Sequence, residues 1–390
     1  MSTHSVTSAA PAAATVTCPV CGQTVPAGEF CGACGAHWAS PSAQIAGRHH
    51  FFAANPAEPM LHLSVVSTLF PHLPHRHRAP YQLALIVTAA VLLVLGLLRL
   101  TGPSIAGAAL AVPLLYLVYL YEVEVYQDEP IPVIGATFVL GALLGIPWAI
   151  LTGPLVTRTL LQTVTAGHPS GRDFLVGVLL PLGAQLVMLI GPLFLYAVRR
   201  FDEALDGFTF GAAAALGFTF STTLINLLPD LHAGLISTMP VVTDVLNVVL
   251  RGLLVPFVNA SLTGLLAGVL WLRRGRTRAL PAHGWTISLG TALVVVAVLR
   301  VCLGLVNVFV LSMAVVVIAY LAATIVLLLW VRVVIHHMLL AEAVEVTIGP
   351  EALCSHCHHL VPRMAFCPHC GVATRATPKT GIGRTARTFR

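Results

Sequence analysis

The chain has 390 residues, of which 57% are hydrophobic and only 9% charged, with a formal net charge of +6. A soluble globular protein carries about 25% charged residues. This composition excludes an ordinary soluble domain and fits a polytopic membrane protein, whose acids and bases are expelled from long stretches.

Residues 1–17 are mostly Ala, Ser and Thr without an apolar core, so they read as a disordered tail and not as a secretory signal. The next segment, 18–36, opens "CPVCGQTVPAGEFCGACG". Two CxxC pairs in a short segment converge four thiolates on one tetrahedral zinc site. The glycines after each pair permit the tight turn, because glycine takes positive φ cheaply. Cys18, Cys21, Cys31 and Cys34 are the expected ligands. The pattern returns near the other end as "CSHCHHLVPRMAFCPHCG", in segment 354–372, with Cys354, Cys357, Cys367 and Cys370. His37, His356, His358, His359 and His369 lie close by, but each set already holds four thiolates, so they read as bystanders. Two structural Zn2+ ions are expected, each folding a ribbon too small to have its own core. The spacing leaves open whether the ribbons act separately or pair across the termini into one module.

Residues 37–80 form a linker. Within it "MLHLSVVSTLFPHLPHRHR" could lie in the membrane interface, and His72, His75 and His77 read as a solvated flank.

A spanning helix needs about 20 mostly apolar residues. Eight stretches qualify: 81–98, 104–121, 131–151, 174–198, 207–229, 248–272, 285–306 and 312–334, the last two separated by a break around Asn307. The fold class is therefore all-α, a polytopic transmembrane bundle of about eight spans (81–335) with a small ribbon at each end. An even count puts both termini on one side. Arg76, Arg78, Arg199, Arg200, Arg273, Arg274, Arg276 and Arg278 then share that side with Arg332, Arg363 and the basic tail, against only Arg99, Arg158 and Arg172 opposite. The positive-inside rule makes it the cytoplasm, where thiols stay reduced and disulfides do not form. Twenty of the 21 basic residues are arginine, which suggests a GC-rich bacterium and hence its inner membrane. Cys302, alone in an apolar run, reads as a small core residue.

The stretch "RRFDEALDGFTFGAAAALGFTFSTT" resembles the PrsW family of intramembrane proteases, in the wider superfamily of CAAX-processing enzymes. The shared pattern is an acidic turn (Asp202, Glu203, Asp206, Gly207) leading into Gly211, Ala212, Ala213, Leu216, Gly217 and Phe218. "VPLLYLVYLYEVEVYQDEP" also looks like the family's approach to its third helix, and the resemblance covers about residues 110–310. It implies carboxylates and histidines inside the bilayer that activate water or hold a metal. In this sequence the glutamate pair falls around Gly183, Ala184 and Gln185. The glutamate after LGF falls on Thr222, with Thr223 beside it, and the two histidines fall on Asn259 and Leu303.

No Asp, Glu or His occurs within the eight predicted spans. Neutral polar residues remain: Gln185, Thr222, Thr223, Asn226, Asn259, Thr263 and Asn307. They read either as helix–helix hydrogen bonding or as a vestigial cavity. Arg251 and Arg300 read as snorkelling toward the helix ends. The expected function is a non-catalytic, PrsW-like binding or regulatory protein whose ribbons dock a cytoplasmic protein. The alternatives are an active protease using Asp202, Glu203 and His232, and a transporter. The tail 373–390 is basic, which fits anionic lipid better than nucleic acid.

Overall fold

A computed structural model describes residues 14–19, 21–38, 79–123, 131–166, 171–198, 201, 204–233, 240–274, 288–310, 312–343, 348–354, 357–372 and 374. It divides into two units: residues 60–342, and a second unit made from both ends of the chain, 1–59 and 343–390. The interfacial segment with its three histidines, the acids Asp202 and Glu203, and the basic tail from residue 375 lie outside the described residues.

The larger unit is helical. Each of the eight predicted spans falls on one helix: α1 (Ala79–Leu97), α2 (Thr101–Val123), α3 (Ile131–Ala166), α4 (Gly171–Tyr196), α5 (Ala204–Ala233), α6 (residues 241–274), α7 (Leu289–Phe309) and α8 (Met313–Ala343). Six, α3 to α8, contain a stretch long and apolar enough to cross a membrane; α1 and α2 contribute shorter apolar stretches, Leu83–Leu97 and Thr101–Tyr116. The break placed around Asn307 falls three residues later, after Phe309, and Asn307 stays inside α7.

Several helices outrun their predicted limits. The α3 helix has 36 residues and keeps Pro147 and Pro154 in its interior. The α8 helix runs to Ala343, so Arg332, expected in the C-terminal flank, is a buried helical residue. These extensions bring buried titratable groups into helix ends: Asp173, Asp206, Asp244 and His336. Hydropathy windows stop at the first charges, whereas backbone hydrogen bonding continues through them.

Two helices widen locally into π-helical turns, Leu175–Leu179 in α4 and Val248–Leu254 in α6. Each lies just ahead of a proline, Pro181 or Pro256. Proline has no N–H to donate and crowds the preceding turn, and the wider winding accommodates that loss.

The α5 and α6 helices form the centre of the bundle. About three quarters of their apolar cores are enclosed, 72% and 78%, against 28% for α3. Along α5 the residues facing its neighbours are small, as in "GAAAALGF", so backbones come close. At Gly217 a side chain would run into the Phe138 carbonyl of α3. Gly217→Val should therefore force α3 and α5 apart and cost about 1–3 kcal/mol. Thermal unfolding in detergent checks this, and an unchanged midpoint would contradict the close approach.

Two sequence readings need correction here. Cys302 is exposed on the surface of α7 and not in the core. Arg300 does not snorkel: it is the twelfth residue of the 21-residue α7 and is buried. From near the middle of the helix its side chain turns inward onto Gln185 and stays away from both ends. Arg251, by contrast, is exposed.

The smaller unit contains two hairpins of the same construction. In the first, β1 (Thr15–Thr17) pairs antiparallel with β2 (Thr24–Pro26); in the second, β3 (Glu351–Leu353) pairs with β4 (Leu360–Pro362). The first strand occupies the last three residues of the segment read as a disordered tail, so the ribbon begins earlier than its first cysteine.

Candidate functional sites: two four-cysteine ribbons and a buried arginine cage

Each ribbon is assembled from two turns. The first follows the hairpin's leading strand: the Gly22 amide donates to the Cys18 carbonyl at 2.8 Å, and the His358 amide donates to the Cys354 carbonyl at 3.0 Å. The second turn closes by Gly35 to Cys31 at 2.7 Å and Gly371 to Cys367 at 2.9 Å. Gly22, Gly35 and Gly371 all sit near φ +72°, where a side chain is disfavoured. His358 adopts φ 56° in the slot that Gly22 fills in the first ribbon.

The four sulfurs of each set converge. In the first ribbon Cys18 and Cys34 lie 3.7 Å apart and Cys21 and Cys31 lie 3.8 Å apart. In the second, Cys354–Cys370 and Cys357–Cys367 are both 3.8 Å. All ligand atoms of a set lie within 4.8 Å of one another. A tetrahedron with metal–sulfur bonds of about 2.3 Å has edges of about 3.8 Å, so the geometry fits a tetrathiolate metal site. The thiols share protons unequally. A hydrogen bond from Cys34 holds Cys31 down at about 5, and the same bond pushes Cys34 well up. Cys367 is pushed up to about 11 by its bond to Cys354, and Cys370 is raised too, again chiefly through Cys354.

The two ribbons pair. The Phe30 amide donates to the Pro368 carbonyl at 2.9 Å, and the Phe366 amide donates to the Gly32 carbonyl at 2.9 Å. Phe366 is the counterpart of Phe30, and Pro368 of Gly32, each 336 positions later in the sequence. The contact is therefore reciprocal, as between two subunits related by a two-fold axis. Met364 completes it by entering the core of the first ribbon among Cys18, Val25 and Cys31. Both hydrogen bonds start one residue from a cysteine ligand. The alternative left open by the spacing is thus resolved geometrically in favour of one composite module.

Within the helical unit, three of the seven neutral polar residues converge on one group. The Arg300 Nε and Nη2 donate to Gln185 Oε1 at 2.8 and 2.6 Å, and Nη1 donates to Asn259 Oδ1. The amide nitrogens of both acceptors point outward. Gln185 Nε2 donates to Thr263 Oγ1 at 3.0 Å, and Asn259 Nδ2 donates to Thr219 Oγ1 at 2.7 Å. The chain of donors ends on the Ala215 carbonyl (from Thr219, 2.7 Å) and on the Met188 sulfur (from Thr263, 3.9 Å). Helix placement follows from the π-turn of α4, where the Gly177 carbonyl lies against Gly304 of α7 so closely that Gly304 has no room for a side chain. That contact brings α7 against α4 near Gln185, and the long Arg300 side chain spans what remains.

The other four predicted residues lie elsewhere. Thr222 donates to the Thr219 carbonyl of its own helix, 3.0 Å away. Thr223 is half-buried, and Asn226 is exposed. Asn307 donates to Tyr320 across the α7–α8 turn at 2.7 Å. Thr219 and Arg300 complete the cage and were not singled out as cage residues in the sequence. A lone charge at the centre of a 21-residue apolar helix was the signal for Arg300. The cage offers amide oxygens, hydroxyls, a thioether and a guanidinium. Among the described residues, the groups of three or more His, Cys, Asp or Glu close enough to hold a metal are the two cysteine sets.

No curated protein and no solved structure matches this chain. A family profile does, over residues 129–335, described as the PrsW family intramembrane metalloprotease. The match starts later than the resemblance suggested, within the approach to α3, and extends to Leu-rich α8. It spans α3 to most of α8 and encloses the arginine cage but not the ribbons. By this match over more than half its length, the chain belongs to the PrsW family.

Proposed function

We propose that this chain is a non-catalytic member of the PrsW family: a multi-pass membrane protein with both termini in the cytoplasm of a bacterium. Its terminal ribbons bind two zinc ions and dock a cytoplasmic protein. One observation carries the reading. The positions at which the resemblance puts acids and histidines hold Gln185, Thr222, Asn259 and Leu303, and two of these are engaged by Arg300. Amides and threonine do not titrate near neutral pH, so they orient water without taking its proton.

A catalytic metal does not fit the cage either. Its donors lack carboxylate, imidazole and thiolate, the usual ligands of a catalytic site. A divalent ion about 4 Å from a guanidinium meets about 8 kcal/mol of repulsion at an effective dielectric of about 20. No step of hydrolysis is therefore routed through these residues.

Cleavage of membrane-embedded peptides by the purified chain is the test. Losing a general base or metal ligand removes about 10² to 10⁴ in rate for each role, so no turnover above a heat-inactivated control is expected. Turnover that persists in Thr222→Ala and Asn259→Ala, but is lost in Asp206→Asn or His336→Ala, would overturn the proposal. Among the described residues, those two groups, with Asp173 and Asp244, are the buried acids and imidazole at helix ends.

A further inference from the structure

We infer that Arg300 is a tethered cation standing where a PrsW metalloprotease would hold its metal, so the bundle closes around an organic charge of its own chain and has no place for a divalent ion. This rests on the non-catalytic reading above and deepens it.

Three features point the same way. First, the cage is polarised as a cation site. Both Gln185 and Asn259 turn their oxygens inward, and the inward orientation is fixed from behind, because each amide nitrogen is committed to a threonine hydroxyl. Those hydroxyls donate onward to Ala215 and Met188, so the amide dipoles of Gln185 on α4 and Asn259 on α6 both point their negative ends at one place, held from behind by Thr263 and Thr219. Such an arrangement is stable only around positive charge.

Second, the charge that fills it comes from α7. Arg300 precedes Leu303 by one turn, and Leu303, buried and apolar, occupies a position where the resemblance implies a histidine. A ligand position has become apolar, and a cation has appeared beside it. Third, the fit is bidentate at Gln185 Oε1, and all three guanidinium nitrogens are engaged. A planar guanidinium seated on both amide oxygens in this way takes the acceptors that a divalent ion would need.

Metal content separates this inference from its alternatives. The purified full chain should carry metal only in its ribbons, and Cys31→Ser, Cys34→Ser, Cys367→Ser and Cys370→Ser together should remove all of it. Stoichiometric metal that remains in that variant, and is lost on adding Asn259→Ala, would overturn the inference.

The second comparison tests exclusion directly with Co2+ as the probe. Gln185→Glu with Asn259→His, Arg300 retained, should take no ion beyond the ribbons. Adding Arg300→Ala should then admit about one further ion per chain. Equal uptake with and without Arg300, or no uptake by the triple variant while it still elutes as folded protein, would also sink the idea. Should the triple variant fail to fold, the ribbon-variant measurement decides alone. Peptide cleavage without a third metal would refute the non-catalytic reading and leave this inference intact. A third metal without cleavage would do the reverse.

Discussion

Gln185→Leu should be the most damaging single substitution in the helical unit, lowering stability by about 3–5 kcal/mol, the range for removing one partner of a buried charge. The change barely alters volume. What it removes is the acceptor of two of the three guanidinium hydrogen-bonding nitrogens, Nε and Nη2. The charge then stays buried with the Asn259 oxygen alone, because α7 places Arg300 too far from a helix end to reach water. An ordinary interhelical hydrogen bond in a bilayer is worth about 0.6 kcal/mol, so the size of the effect is diagnostic. Thermal unfolding in lipid nanodiscs provides the measurement. Combining Gln185→Leu with Arg300→Met removes the charge as well as its acceptor and should recover at least half the loss, giving a large coupling energy. A cost under about 1 kcal/mol for Gln185→Leu would mean that Arg300 finds other solvation, and the cage would lose its central role.

Disabling one ribbon should weaken the other. Cys31→Ser with Cys34→Ser is expected to lower bound zinc from two ions to one and to reduce the affinity of the remaining site by about ten- to a hundredfold. That range corresponds to losing two backbone hydrogen bonds worth about 1 kcal/mol each, with some packing. The route is short: Phe30 to Pro368 and Phe366 to Gly32 each adjoin a cysteine ligand, and Met364 sits in the opposite ribbon's core. Competition with a chromophoric chelator reads both numbers. Independent sites would leave the second affinity unchanged. The pH dependence has a definite sign. Cys34, Cys367 and Cys370 hold their protons through neutral pH, so a metal must displace them. Affinity should rise with pH by about tenfold per unit for each proton displaced, and acid should strip the ribbons.

The sequence made some of this structure legible and hid the rest, for physical reasons. Four thiolates at fixed spacing define a site locally, so Cys18 through Cys34 and Cys354 through Cys370 could be read off and their sulfurs do converge. The helices were equally legible, because a bilayer demands long apolar runs whatever their neighbours are. Their ends were not, since a helix continues through charged turns that a hydropathy window rejects, as at Asp206 and His336. The cage was half legible. Gln185, Asn259 and Thr263 stood out as polar residues in apolar surroundings, but their meeting point depends on Arg300, which was assigned to a helix end through a misplaced boundary. Thr219 looked like any other helical threonine. The pairing of the ribbons could be named from the sequence but not decided, because nothing in a repeat 336 positions away says that its copies touch.

That pairing makes the polypeptide a ring. Cys34 and Cys354 are 320 positions apart, yet their ribbons are held by reciprocal backbone bonds, as though the chain had been tied at its ends. For a flexible loop of this length closure would cost about 5 kcal/mol or more in entropy, well beyond what two hydrogen bonds return. Closure is therefore economical only because the intervening helices are already ordered, so the chain between the ribbons is not a flexible loop. Releasing the joint would free two ribbon faces that had covered each other. A cytoplasmic protein that binds one of those faces would compete with the chain's own opposite end.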